Sequence, residues 1–365
     1  MKGEILIIAW IAVVALVGSQ VNYKRTEFVN GSAVVRCVPL FAIIAFLPVI
    51  LWAGFRPRYG FADTSAYVTM YLNLPEDFNE LREYLATIDK DKGFYLLSGI
   101  IKMIFGSNYR PFLLISAVFQ GACIIKFYRN YSPDYIMSIF LFIISADYYA
   151  WMMNGIRQFL AVTIIYFAIS LLVRKKYILF CVVVLIAATV HQTAIIMIPI
   201  ALIVQGKPWN KKTLLMIAMA LLAVFFTNQF TSLLNTALED TAYSANATEM
   251  AGQAGVNPLR VAVYAVPAVL AFVGRKKLDK ENNQVINISV NMSIITLALY
   301  LIAMVTSGIM MGRLPIYTSL FNYILLPYEI EHIFDNKSRL FLRVALVLLY
   351  MAYYYYLMHF AYGRI

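Results

Sequence analysis

Apolar runs close to twenty residues long follow one another along this chain, separated by short polar breaks, beginning with the N-terminal MKGEILIIAWIAVVALVG. Each is about the length a helix needs to cross a hydrocarbon core roughly 30 Å thick. Candidate spans fall at 4–21, 35–54, 111–127, 135–151, 157–173, 177–190, 192–205, 213–230, 258–273, 286–307, 314–333 and 340–360. These amount to about twelve crossings and predict an all-α, polytopic membrane bundle, a single transmembrane domain over residues 1–365. Only 13% of residues are charged and the mean hydropathy is +0.73, whereas soluble domains are about a quarter charged, so an ordinary soluble protein is excluded. The N-terminal run has the length of a span and no small-residue cleavage site, which predicts a retained first helix.

A net charge of +11 raises nucleic acid as a partner, but the basic residues form small clusters between apolar runs rather than one stripe. None is therefore expected. The clusters Lys24/Arg25/Arg36, Lys126/Arg129, Arg174/Lys175/Lys176, Lys207/Lys211/Lys212, Arg275/Lys276/Lys277/Lys280 and Lys337/Arg339/Arg343 mark cytoplasmic loops by the positive-inside rule. Both termini then lie outside, and the cytoplasmic side carries all of the net charge because the outer acids and bases cancel.

Two stretches fit this topology less simply. Residues 94–105 are too short to span and are expected to form an interfacial or re-entrant helix on the outer side. Residues 177–205 are long for one helix and short for two, with a basic cluster at each end. Two half-spans broken near His191 resolve this and set His191 at the floor of an outward-facing cavity. The long outer loops are 55–110 and 231–257, the second carrying the sequon Asn246-Ala-Thr248. Cys37, Cys123 and Cys181 lie in apolar stretches with no CxxC or His neighbour, which suggests neither a disulfide nor a metal.

An ionisable group at membrane depth costs about 2.5 to 3.5 kcal/mol on insertion scales, so each needs a reason. Arg56, Arg58, Asp63, Arg157, His191 and Arg313 all fall near the outer ends of predicted spans. Convergent guanidinium groups grip phosphate through paired hydrogen bonds, and Arg157 and Arg313 sit at predicted helix N-termini, which favour anions. A lipid-linked diphosphate fits such a set; the plain alternative is arginines that snorkel or pair with carboxylates. Asp63 and His191 are the candidate proton acceptors, and either could activate a sugar hydroxyl. Asp89-Lys-Asp91 matches the DxD of metal-dependent glycosyltransferases, but it sits in a charged loop and is read as loop charge. Tyr67 could stack on a sugar face, as could Tyr148, Tyr149 and Trp151, although tyrosines at span ends are more often belt residues.

The segments Arg58-Tyr-Gly-Phe-Ala-Asp63-Thr-Ser-Ala-Tyr67, Asn154-Gly-Ile-Arg157-Gln158-Phe-Leu-Ala161, His191-Gln-Thr-Ala194 with Pro199, and Gly312-Arg313 with Tyr317 together resemble the EpsG/Wzy group of bacterial exopolysaccharide and capsule polymerases. That resemblance implies a membrane glycosyltransferase of the C-superfamily type in the bacterial cytoplasmic membrane, acting on its outer face. It implies transfer of a growing glycan from undecaprenyl diphosphate to another lipid-linked repeat unit, with no metal or other cofactor, and flippase and chain-length regulator proteins as partners. The expected roles are diphosphate and substrate binding by Arg56, Arg58, Arg157, Arg313, Tyr67, Gln158 and Tyr317, with Asp63 or His191 as base in an inverting displacement. A lipid-linked oligosaccharide flippase and a membrane glycan acyltransferase remain alternative readings. A flippase favours cations midway along its helices and repeat symmetry, and no internal repeat is seen in the sequence.

Overall fold

The protein was analysed as a computed structural model, which describes residues 2–29, 32–59, 61, 63–229, 232–233 and 255–361. The sequon Asn246-Ala-Thr248 and most of the loop 231–257 lie outside the described residues. The chain opens with α1 (Lys2–Gln20), strands β1 (Lys24–Val29) and β2 (Ser32–Cys37), and α2 (Pro39–Gly54). Next come α3 (Thr64–Leu72), α4 (Phe78–Thr87), α5 (Lys92–Phe105), α6 (Arg110–Tyr131), α7 (Tyr135–Ile144), α8 (Asp147–Asn154), α9 (Ile156–Phe167), α10 (Ile169–Val173) and α11 (Tyr177–Val190). A 3-10 turn over Gln192–Ile196 leads to α12 (Met197–Ile203), α13 (Lys211–Phe225), α14 (Pro258–Val273), α15 (Arg275–Glu281) and α16 (Gln284–Val305). Two further 3-10 segments, Met311–Tyr317 and Ser319–Phe321, precede α17 (Asn322–Ile333) and α18 (Asn336–Tyr356).

Among the described residues four helices are long and apolar enough to cross a membrane, Gly3–Gln20, Arg110–Tyr131, Gln284–Val305 and Asn336–Phe360, or up to six if each bent pair counts as one span. The protein is thus helical and membrane-embedded, with fewer full-length helices than the twelve runs predict. The difference lies in breaks that periodicity does not reveal. Ala146 adopts a left-handed φ of +62° and α7 meets α8 at 66°. The predicted span 157–173 breaks at Ala168, and 314–333 is 3-10 as far as Phe321. The predicted half-spans 177–190 and 192–205 do separate at His191, which is extended with φ −151°. The short helix expected at 94–105 is also present, as α5.

Residues 24–29 and 32–37, expected within a loop running into the second span, instead form two antiparallel strands pairing Lys24 with Cys37 and Val29 with Ser32. Alternation of β-branched and aromatic residues favours strands, and Asn30-Gly31 is a dipeptide favoured between hairpin strands. The all-α prediction therefore needs this one correction.

The chain divides into two compact units, residues 1–198 with 337–365, and residues 199–336. In the first, α2 lies along α6. Gly121 makes room for Ile50, since a Cβ there would stand 2.4 Å from Ile50 Cγ1, and the Tyr135 hydroxyl donates to Ala42 O at 2.8 Å. Basic clusters far apart in sequence meet at one end of this unit. Glu27 pairs with Arg25 at 2.9 Å, with Arg36 at 3.5 Å and with Arg129. Arg129 Nε donates to Cys37 O, Lys126 to Phe167 O, and Arg343 lies 3.5 Å from Asp134. Within this unit, helix α2 leads away from this end to Arg56.

In the second unit α14 packs on α16 through Tyr264 and Tyr300, ring centroids 4.6 Å apart. The Tyr264 and Tyr323 hydroxyls are 3.2 Å apart, and Thr296 Oγ1 meets Thr318 Oγ1 at 2.7 Å. Asn291 Nδ2 donates to Val204 O at 2.9 Å.

Candidate active site

Three chain breaks in the first unit converge on one carboxylate. Asp91 precedes α5 with a left-handed φ of +60°, a conformation aspartate tolerates better than most residues. Its backbone carbonyl accepts from Phe94 N at 3.0 Å, but its side chain does not cap its own helix. Instead Oδ1 accepts from Gln192 N at 2.8 Å, at the start of the 3-10 turn, where backbone donors lack an acceptor within the helix. Oδ2 lies 3.2 Å from Arg157 Nη1 and 3.6 Å from His191 Nδ1. The last distance exceeds a hydrogen bond and is a charge contact when the imidazole is protonated. The Asp91 side chain is 2% exposed, against 29% for Arg157 and 19% for His191.

Local chemistry accounts for each approach. Gly93 allows the start of α5 to touch α11, because a Cβ there would sit 2.2 Å from Thr189 Oγ1. Gly155 ends α8 and begins α9 under the Trp151 ring, where a Cβ would meet Trp151 Cε3 at 2.4 Å. Arg157 is then the second residue of α9, among that helix's free N–H groups. Beside it, Gln158 Nε2 donates to Thr193 Oγ1 at 3.4 Å, a second tie between α9 and the turn after His191. Burial pushes the Asp91 carboxyl up, but the His191 ring, the Gln192 N–H and the Arg157 guanidinium outweigh it and hold the group below its ordinary range.

The other predicted residues fall into distinct environments. Arg56 is 5% exposed; its Nε donates to Thr64 Oγ1 at 2.9 Å, Nη2 to Met153 O at 3.2 Å and Nη1 to Ala53 O. It braces α2, α3 and α8. Burial lowers its guanidinium to about 10, so it stays charged at neutral pH, with no carboxylate partner among the described residues. Arg58 Nη2 donates to Thr69 Oγ1 at 2.8 Å. Asp63 is exposed and forms no ion pair with either arginine among the described residues. Tyr67 packs edge-on against Phe94, centroids 5.9 Å apart, which links the Arg56 region to the start of α5.

Arg313 and Tyr317 belong to the second unit. Arg313 is exposed and Tyr317 fully buried. The expected helix N-terminus at Arg313 is a 3-10 segment interrupted by Pro315, and the α-helix begins only at Asn322. Arg157, Gln158 and His191, singled out in the sequence, thus lie in one place, whereas Asp91, which contacts Arg157 and His191, reads in the sequence as loop charge. The available signal was an aspartate directly before the short apolar helix 92–105.

A family model described as the EpsG family matches residues 40–364. The chain belongs to the EpsG family. No curated protein and no solved structure matches it. Membership makes this EpsG chain a protein of exopolysaccharide-polymerase type, and the matched region contains every residue of the convergence described above.

Proposed function

We propose that this EpsG protein polymerises an exopolysaccharide on the outer face of the cytoplasmic membrane, transferring a growing glycan from undecaprenyl diphosphate to the non-reducing end of another lipid-linked repeat unit. The contact of His191 and Arg157 with one buried carboxylate carries this reading. With Nδ1 facing Asp91, the opposite ring nitrogen, Nε2, can take the proton of the acceptor hydroxyl. That oxygen attacks the anomeric carbon, the bond to the diphosphate breaks, and Asp91 stabilises the imidazolium as it forms. What favours His191 over Asp63 is the buried carboxylate 3.6 Å from its Nδ1, placed to stabilise the imidazolium once it forms.

Charge separates the arginines into two roles. Arg157 gives one donor to Asp91 and is largely compensated, so it positions the base and offers its remaining donors to substrate. Arg56 and Arg58 have no carboxylate partner among the described residues, and their positive charge suits the diphosphate leaving group without a metal. Arg313 stands in the second unit, and its part in diphosphate binding rests on the sequence resemblance.

The test is purified protein in liposomes with lipid-linked repeat units. A ladder of lengthening glycans, lost in His191→Ala, is expected. Unchanged single repeats moved across the bilayer indicate a flippase, and acylated single repeats an acyltransferase; either result overturns the proposal.

A further inference from the structure

An apolar recess of the first unit lies along α1 and α2, a cavity of about 730 Å³, within the roughly 300–1,000 Å³ range of small-molecule sites. Its chemistry follows from one residue. Pro48 interrupts α2 and has no N–H, so the carbonyl four residues earlier, that of Ile44, loses its helical donor. The Trp10 indole takes that place, Nε1 donating to Ile44 O at 3.2 Å, and fixes one wall of the recess. At the other end Trp52 lies flat over Gly3, where a Cβ would meet the ring at 2.1 Å. Between these tryptophans the lining is aliphatic, including Leu6, Ile7, Leu47 and Leu51, and it ends on Arg56 and Pro57.

An apolar recess that ends on a buried cation with no carboxylate partner among the described residues fits an amphiphile with an apolar tail and an anionic head. Arg56 also connects this recess to the candidate active site. Its Nη2 donates to Met153 O, just before the Gly155 break that sets Arg157, and its Nε donates to Thr64 Oγ1, one turn of α3 before Tyr67, whose ring packs on Phe94. We infer that the α1–α2 recess holds the diphosphate-proximal isoprene units of the lipid-linked substrate, with Arg56 at the point where tail gives way to head. This rests on the proposed use of a polyprenyl-diphosphate donor. It adds where the carrier's proximal isoprene units lie.

The experiment is photo-crosslinking of the full chain in lipid nanodiscs with a polyprenyl diphosphate carrying a diazirine on its first isoprene units, with adducts mapped by mass spectrometry. Labelling is expected on Leu6–Trp10 and Ile44–Leu51, competed by unlabelled polyprenyl diphosphate and not by phosphatidylglycerol. Leu47→Trp, which fills the recess, is expected to reduce this labelling at least tenfold without lowering the melting temperature. It should also raise KM for the lipid-linked donor. Labelling confined to other helices, equal competition by phosphatidylglycerol, or an unchanged pattern in Leu47→Trp overturns the inference. Glycan synthesis is scored separately in the same nanodiscs. Polymerisation with labelling elsewhere defeats only the recess, and recess labelling without polymerisation defeats only the proposed function.

Discussion

The two units treat a buried carboxylate in opposite ways. In the first, Asp91 is met by a guanidinium, an imidazole and a backbone N–H from two other segments. In the second, Glu329 is fully buried, and neither of its oxygens has a hydrogen-bond partner among the described residues. Asn322, two turns earlier on α17, has both side-chain polar atoms in the same condition. Burying a charge is costly unless it is paired and hydrogen-bonded. The first arrangement holds a charge in place for use, whereas nothing described around Glu329 compensates one. Removal should therefore be severe at Asp91 and mild at Glu329.

The largest effect is expected at the proton acceptor. His191→Ala should lower the polymerisation rate by about 10²- to 10⁴-fold, the range for losing a positioned acid–base group, and Asp91→Asn should approach the lower end by leaving the imidazolium unsupported. Glycan ladders from purified variants measure both, and an equal loss in Glu329→Gln would break the comparison between units. Next in size is stability. Asp91→Ala leaves the Gln192 N–H and Arg157 without their acceptor and should cost about 2–3 kcal/mol, at the low side for a broken buried pair because Arg157 is 29% exposed. A double-mutant cycle with Arg157→Ala, followed by thermal unfolding in detergent, isolates the pair.

Gly93→Ala should cost about 1–3 kcal/mol by overpacking, because its methyl group would enter Thr189. Loss of activity exceeding the loss of stability would show that the α5–α11 approach sets the site geometry. Acid provides a finer probe. The Asp91 carboxyl is held below its ordinary value of 3.8, so its contribution to stability is complete above that pH and is lost as pH falls through the lowered folded-state value. Asp91→Asn should flatten the wild-type loss of stability below about pH 4. Glu329→Gln should change stability least, by under about 1 kcal/mol, because it preserves shape where no partner is removed.

Much of the fold was legible because apolar periodicity is local. The run 258–273 coincides with α14, and 286–307 and 111–127 lie within two to four residues of α16 and α6 at each end. The break at His191 was legible from charge, since basic clusters at both ends of 177–205 forbid a single crossing. The bends at Ala146 and Ala168 were not, because alanine is the best helix former and only surrounding packing turns the chain there. The strand pair 24–29 and 32–37 was hidden by its basic residues, which also serve as topology markers.

In the site, helix ends and arginines could be found from the sequence, but the pairing could not. The sequence by itself determined a helical membrane protein with basic clusters alternating along it, and singled out Arg157 and His191 as charges needing a reason. Only the tertiary structure decided that Asp91 supplies the reason, across a separation of 101 residues to Gln192. The physical cause is that a hydrophobic pattern acts within one helix, whereas an ion pair between three chain breaks depends on the path of the whole unit. Gly93 lets two of those breaks, before α5 and after α11, come close enough to meet.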